Sequence, residues 1–119
     1  MRLSVKEAEK LGIKIPKNKY RAKKTTVDGI SFPSQKEANY YSELKLEMKA
    51  GHIIGFCRQP EFILQDGTGL VLKYKPDFIK WLRNGSSVVV EVKGKKTEAY
   101  IIREKLFRKQ FPKIKFEVV

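Results

Sequence analysis

A run of valine residues in the second half of the chain constrains the fold more than any other feature. Residues 87–93 read Ser-Val-Val-Val-Glu-Val-Lys, and a nearly continuous run of β-branched residues is typical of a strand buried on both faces of a sheet. Its two charged residues, Glu91 and Lys93, are costly in such a strand unless a partner compensates their charge. We therefore expect helices to cover the sheet and a polar feature to lie where this strand ends.

Turn and capping signals divide the rest of the chain into alternating elements. A hairpin is expected at residues 25–32 around Asp28-Gly29, and helices are expected from Ser34 to Ala50, where Gly51 ends the first, and over residues 97–110. Strands are expected at residues 53–57, 61–65, 70–82, 87–93 and 114–119. These elements predict the α/β fold class, with a mixed central sheet flanked by helices, in the order helix, three or four mostly hairpin-linked strands, helix, strand; with three strands this order is αβββαβ. Residues 1–24 are predicted to form a basic N-terminal helix and arm, and residues 25–119 the main domain.

The charge of the chain points to a polyanionic partner. Lys and Arg total 26 against 13 Asp and Glu, a net charge of +13, and the commonest partner of so basic a domain is nucleic acid. Six basic residues and no acidic one lie between Lys14 and Lys24. This stretch is either a solvated tail or an arm that contacts phosphate groups, and we favour the arm.

Composition also excludes several classes of protein. With Cys57 as its one cysteine and His52 as its one histidine, the chain has neither a disulfide framework nor a Cys/His zinc site. No apolar segment is long enough to span a membrane or resembles a secretory signal, so we expect a cytoplasmic protein.

The spacing of Asp77 and Glu91 depends on the loop between their strands. A two-residue turn at Asn84-Gly85 would place Asp77 opposite Val92, with the two carboxylates on opposite faces. A three-residue loop at residues 83–85, with Gly85 in a left-handed conformation, would place Asp77 opposite Glu91, their β-carbons roughly 5 Å apart. We predict the second arrangement. Two carboxylates this close repel each other unless a cation lies between them, and their oxygens suit Mg²⁺ or Mn²⁺.

Glu37 has two readings. On the first helix it falls on the same side as Tyr41, Leu44 and Met48, a stripe expected to face the sheet. It is also the fourth residue of Ser34-Gln-Lys-Glu37, a capping box, and in that role it needs no other function.

Taken together, these motifs resemble those of the PD-(D/E)XK nuclease superfamily, whose core is restriction-endonuclease-like. The resemblance rests on Pro76-Asp77, on Glu91-Val92-Lys93 and on Glu37 on the preceding helix. The last hundred or so residues further resemble small phage and prophage proteins of this superfamily. The cues for that second resemblance are Lys23-Lys-Thr-Thr-Val-Asp-Gly-Ile, Ser34-Gln-Lys-Glu-Ala, Gln59-Pro60 and Val92-Lys-Gly94.

The resemblance implies a role for each matching residue. Asp77, Glu91 and the main-chain carbonyl group of Val92 would hold a divalent metal ion, Mg²⁺ with Mn²⁺ as a substitute. Glu37 would bind it directly or through water, and Lys93 would position or deprotonate the attacking water. The implied activity is hydrolysis of phosphodiester bonds in DNA. Small members of the superfamily include homodimeric Holliday-junction resolvases, so the resemblance favours branched DNA, phage recombination or replication, and the host-cell cytoplasm.

Basic residues outside the metal site are predicted to contact DNA. On the second helix Ala99, Ile102 and Leu106 are expected to form the buried stripe, which leaves Arg103 outside as either a phosphate contact or a solvated residue. The residues predicted to bind DNA are Lys17, Lys19, Arg21, Lys23, Lys24, Lys95, Lys96 and Arg103.

Two alternatives stay open. The chain is either a less specific flap or nicking endonuclease or, in a different class, a non-catalytic module that binds nucleic acid. In the second case Glu91 and Lys93 would form a structural ion pair.

Overall fold

The computed structural model describes residues 24–92 and 96–119. The predicted N-terminal helix lies outside the described residues, as do Lys17, Lys19, Arg21, Lys23, Lys93 and Lys95. The chain divides into two compact units, residues 1–39 and residues 40–119.

The described elements alternate between strands and helices. In chain order they are β1 Thr25–Val27, β2 Ile30–Phe32, α1 Gln35–Lys49, β3 Ile53–Arg58, β4 Phe62–Gln65, β5 Val71–Tyr74, β6 Phe78–Leu82, β7 Ser87–Glu91, α2 Glu98–Gln110 and β8 Lys115–Val118.

The first unit contains the predicted hairpin and the start of α1. Strands β1 and β2 pair antiparallel, and the residues between them, Asp28 and Gly29, have φ angles of 53° and 76°. Two positive φ angles in a two-residue loop are typical of the type I′ turn that Asp-Gly favours. After the hairpin the Oγ atom of Ser34 accepts a hydrogen bond of 3.1 Å from the backbone N–H of Glu37. This confirms the predicted helix start.

The second unit is built on a four-stranded mixed sheet in the order β3-β6-β7-β8. Strands β3, β6 and β7 pair antiparallel, and β8 pairs parallel to β7. The parallel pair needs a crossover connection, which α2 provides. With the hairpin β4-β5 set aside, the elements follow the order αβββαβ, so the predicted α/β class and element order are confirmed.

The two faces of this sheet are covered by different elements. On one face Phe78 of β6 packs against Tyr40 of α1, with ring centroids 5.5 Å apart. On the same face the buried ammonium group of Lys80 lies 3.5 Å from the carboxylate of Glu47. On the other face the core contains Ile79 and Val89 of the sheet, Phe107 of α2, and Leu64 and Tyr74 of the hairpin β4-β5. The valine-rich strand is therefore buried on both sides, as its composition predicts.

The prediction of one strand over residues 70–82 is wrong. The chain breaks at residues 75–77, and the first part pairs with β4 as a separate two-stranded sheet. Pro76 has no backbone N–H to donate to a sheet ladder, and it lies in the break between β5 and β6. The hairpin β4-β5 therefore covers a face of the main sheet instead of extending it.

The predicted buried stripes of both helices need correction. In α1 Leu44 is buried, but Met48 is 44% exposed. In α2 Ala99 is exposed and Ile102 is 51% exposed, whereas Phe107 is fully buried. Apolar character alone predicted that Ile102 would be buried. The helix α2 instead buries the side that carries the ring of Phe107, which fills the space between the sheet and the hairpin. Among the described residues, no helix is long and apolar enough to cross a membrane.

Candidate active site at the end of strands β6 and β7

The loop between β6 and β7 has the predicted three-residue form. The N–H of Leu82 donates to the carbonyl oxygen of Ser86 at 2.8 Å, and the N–H of Gly85 donates to that of Leu82 at 2.8 Å. Gly85 has a φ angle of +90°, a conformation that glycine adopts without strain. In the resulting register Phe78 lies opposite Val90 and Ile79 opposite Val89. The ladder begins at Phe78, and its register, extended by one residue to Asp77, gives the predicted position opposite Glu91.

Asp77 is anchored to both neighbouring strands. Its Oδ2 atom accepts a hydrogen bond of 2.8 Å from the backbone N–H of Val92, directly after β7. Its carbonyl oxygen accepts one of 2.9 Å from the N–H of Gln59, directly after β3. The Asp77 side chain therefore takes the place of a main-chain acceptor at the end of the ladder, and its position is fixed by the sheet.

Glu91 lies in a low-dielectric environment beside a second negative charge. Its Oε1 atom accepts a hydrogen bond of 2.9 Å from the hydroxyl group of Tyr74. Burial and, after it, the charge of Asp77 raise the pKa of Glu91 from 4.5 to about 7, although the bond from Tyr74 acts in the opposite direction. The effect of Asp77 indicates that the two carboxylates are close enough to repel each other, which the predicted register requires.

A second glutamate adds to this negative field. Glu104 of α2 accepts a hydrogen bond of 2.8 Å from the hydroxyl group of Tyr100. Its charge also contributes to the raised pKa of Glu91, after burial and Asp77. The end of β7 is thus a locally acidic region in a strongly basic chain.

Glu37 lies in the first turn of α1, in the other compact unit. Its backbone N–H takes part in the cap with Ser34, so the helix-start half of the capping box is confirmed. Its role as a metal ligand stays a prediction.

The predicted DNA-binding residues fall into three groups. Lys17, Lys19, Arg21, Lys23 and Lys95 lie outside the described residues, as does Lys93 of the metal motif. Lys24 and Lys96 are exposed. Arg103 is half-buried, and its Nε atom donates a hydrogen bond of 2.9 Å to the carbonyl oxygen of Lys73 in β5. This bond connects α2 to the hairpin β4-β5. From the sequence, Arg103 is expected to be either a phosphate contact or a solvated residue, and this bond is not predicted.

The carboxylate oxygens at this site are donors of the type that small divalent cations bind. Within residues 24–92 and 96–119, no three His, Cys, Asp or Glu side chains form a group that could hold a metal ion. The donors are instead two carboxylates and the main chain of Val92. Mg²⁺ commonly binds through one or two carboxylates and keeps several water molecules. The mutual repulsion of Asp77 and Glu91 is the electrostatic condition that such an ion relieves.

The sequence does not identify Tyr74 as part of the site. On a continuous strand over residues 70–82, Tyr74 and Asp77 would point to opposite faces, because their separation is odd. Because the strand breaks at Pro76, the alternation of faces does not apply, and the Tyr74 hydroxyl group reaches Glu91 from the hairpin. The sequence shows an aromatic residue shortly before Pro76-Asp77, but it does not indicate the face toward which that side chain points.

Comparison with known proteins gives one match. No curated protein and no solved structure matched the chain. The family described as "Protein of unknown function (DUF1064)" matches residues 17–119, which include both strands of the acidic pair and most of the basic stretch before β1. The chain belongs to the DUF1064 family.

Proposed function

We propose that this chain is a metal-dependent DNA endonuclease that hydrolyses phosphodiester bonds and selects branched DNA such as a four-way junction. The observation that carries the proposal is the pairing of Asp77 with Glu91. Two carboxylates are held near each other at a strand end, and the pKa of Glu91 is raised to about 7 by burial and by the charge of Asp77. An arrangement that costs the folded protein free energy is typical of a functional site.

The metal site of the proposal consists of Asp77, Glu91 and the carbonyl group of Val92. Val92 is 5% exposed, and its N–H donates to Asp77, which fixes the peptide group between Glu91 and Val92; the role of the Val92 carbonyl group is the one that the resemblance implies. A bound Mg²⁺ or Mn²⁺ ion would supply Lewis acidity toward the phosphate and make a bound water more acidic. Asp77 and Glu91 would hold the ion, and their side chains are already fixed by hydrogen bonds to the N–H of Val92 and the hydroxyl group of Tyr74.

The resemblance to the PD-(D/E)XK superfamily also assigns roles to Lys93 and Glu37. Lys93 follows Glu91 by two residues, and its ammonium group would position or deprotonate the attacking water. Glu37 would add a carboxylate, directly or through water. Both roles are predictions from the resemblance to the PD-(D/E)XK superfamily.

The proposed substrate follows from charge and size. A net charge of +13 attracts a polyanion. A domain of 119 residues leaves little surface for reading a long base sequence, which favours recognition of DNA shape. We propose a homodimer, because two copies related by a two-fold axis can cut two symmetric strands of a junction. The proposed setting is DNA recombination or replication in the cytoplasm, that of the host cell if the chain is phage-encoded.

One assay tests this proposal. The protein is incubated with labelled four-way junction, flap, linear duplex and single-stranded DNA in Mg²⁺, in Mn²⁺ and in EDTA. We expect cleavage of the junction in either metal, no cleavage in EDTA, and a loss of at least 100-fold in Asp77→Asn. The asparagine side chain is the same size and keeps an oxygen that can accept from Val92, so the fold is retained.

A matched control separates the site from general charge effects. Asp66→Asn changes a carboxylate that accepts hydrogen bonds from the N–H and hydroxyl groups of Thr68, in the loop between β4 and β5. We expect its cleavage rate to equal that of the wild type. Tight DNA binding with no cleavage in either metal would instead support the non-catalytic binding module. Equal cleavage of flap and junction would support the less specific endonuclease.

A further inference from the structure

We infer that Tyr74 is a positioning residue, whose hydroxyl group fixes one carboxylate oxygen of Glu91 so that the other is presented to a divalent metal ion. This inference rests on the proposed function for the identity of the metal site. It adds a residue that the PD, Glu-x-Lys and Glu37 motifs do not include.

The first support is the contact itself. The Tyr74 hydroxyl group lies 2.9 Å from Glu91 Oε1, and the tyrosine is 3% exposed. The hydroxyl group is the donor in this bond, because an ionised carboxylate only accepts. A carboxylate oxygen that accepts this bond is held in one orientation.

The second support is that Tyr74 is held rigidly. Its ring packs against Phe107 of α2 with the centroids 5.7 Å apart and the planes at 62°. Phe62 lies opposite it in the hairpin and packs edge-to-face on the same Phe107 ring at 4.9 Å. Three aromatic rings from three elements thus fix the direction in which the hydroxyl group points.

The third support is that α2 fastens both strands of the hairpin. Arg103 Nε donates to the carbonyl oxygen of Lys73, next to Tyr74, at 2.9 Å. The Gln110 side chain donates to the carbonyl oxygen of Ile63 at 2.8 Å and accepts from the N–H of Gln65 at 2.9 Å. It thus makes the two backbone hydrogen bonds with β4 that a neighbouring strand would make. An isolated two-stranded hairpin is only marginally stable. These contacts supply the support that Tyr74 needs to act as a fixed donor.

The two carboxylate oxygens of Glu91 therefore have different roles. Tyr74 occupies Oε1 of Glu91, and we assign Oε2 to the metal ion. Because the donor is a neutral phenol, it orients Glu91 without cancelling the negative charge that attracts the cation. Outer partners of metal ligands commonly contribute about 10- to 100-fold in metal affinity or activity.

The test compares Tyr74→Phe with the wild type in two measurements that do not depend on cleavage. The phenylalanine keeps the ring and loses the donor. In metal-free protein, NMR scalar couplings that report the side-chain torsions of Glu91 should change from those of one rotamer to those of an average. The affinity for Mn²⁺, measured by calorimetry, should fall about 10-fold or more. Where cleavage is observed, kcat should fall with KM for DNA unchanged.

The matched control is Tyr40→Phe. Tyr40 is also a buried tyrosine, 7% exposed, but it packs on Phe78 on the opposite face of the sheet. Tyr40→Phe should keep the wild-type affinity for Mn²⁺. If Tyr74→Phe does not fold, Arg103→Gln provides the second variant. It leaves Tyr74 in place, removes the bond to Lys73, and should also weaken Mn²⁺ binding.

The outcomes separate this inference from the proposed nuclease activity. Wild-type Mn²⁺ affinity and a single Glu91 rotamer in Tyr74→Phe would overturn the inference and leave the nuclease proposal intact. A wild type that binds Mn²⁺ in a Tyr74-dependent way but cleaves none of the DNA substrates would support the inference and overturn the nuclease. A wild type that binds no Mn²⁺ at millimolar concentration would overturn both.

Discussion

Replacing Glu91 with glutamine should make the metal-free protein more stable at neutral and alkaline pH. Glutamine has the same shape as glutamate and keeps an oxygen that can accept the bond from Tyr74. It removes the negative charge that burial and Asp77 disfavour. The variant therefore avoids the unfavourable free energy of ionising Glu91 in the folded protein.

The raised pKa of Glu91 sets the size and sign of this effect. A change from 4.5 to about 7 corresponds to at most about 3 kcal/mol, and solvent screening at this partly exposed carboxylate reduces that to roughly 1.5 kcal/mol. Because the folded state holds the proton more tightly than the unfolded state, wild-type stability is fully present below about pH 4.5. It is lost as the pH rises through about 7. Glutamine does not titrate, so the advantage of the variant develops over this window and is complete above it.

Thermal unfolding in EDTA measures this difference directly. At pH 8 we expect Glu91→Gln to have a Tm about 5 °C above that of the wild type, and at pH 4.5 we expect the two to be nearly equal. Addition of Mg²⁺ at pH 8 should raise the Tm of the wild type and leave that of the variant unchanged. Glu61→Gln, which removes the charge of an exposed glutamate, is the control for the loss of one negative charge elsewhere on the chain. A Glu91→Gln variant that is no more stable than the wild type at pH 8 would refute the reasoning.

Three other substitutions test separate parts of the structure. Phe107→Ala removes the fully buried ring shared by the sheet, α2 and the hairpin, and should cost about 3–5 kcal/mol in urea unfolding; a loss below 1 kcal/mol would contradict the proposed core. Lys96→Gln, at an exposed position, should weaken DNA binding and reduce the slope of log affinity against log salt by about 1; an unchanged slope would remove Lys96 from the DNA contacts. Glu37→Gln should lower cleavage at least 10-fold with little change in Tm if the side chain binds metal, whereas full activity with a loss of about 0.5–1 kcal/mol would assign it to the helix cap alone.

The parts of the site that the sequence predicted depend on local turn chemistry. Gly85 permits the left-handed conformation of a three-residue loop, and Asp28-Gly29 permits a two-residue turn. A hairpin loop fixes the register of every pair in its strands, so the position of Asp77 opposite Glu91 followed from Gly85. This information lies within a few residues of the chain, where sequence reasoning is strongest.

The parts that the sequence did not predict depend on packing between distant segments. Ile102 and Phe107 are both apolar and both belong to α2, and only the space beneath the helix decides that Phe107 is buried and Ile102 exposed. The direction of Tyr74 similarly depends on how the hairpin β4-β5 folds back after Pro76. Such choices are made by tertiary contacts, which local periodicity does not encode.

The hydrogen-bond donor to Glu91 is a neutral phenol, and this choice of donor is relevant to the proposed metal-binding function. A Lys or Arg in the place of Tyr74 would stabilise the ionised carboxylate, lower its pKa and make the structure more stable near neutral pH. The chain has 26 such residues, yet the hydrogen bond to Glu91 comes from a phenol that orients the carboxylate without neutralising it. Since a cationic side chain would compete with a metal ion for the same charge, the neutral donor preserves the attraction on which metal binding depends. The charge of Asp77 beside Glu91 contributes both to the cost of ionising Glu91 in the metal-free protein and to the attraction of the proposed site for a divalent cation, so Glu91→Gln should reduce both.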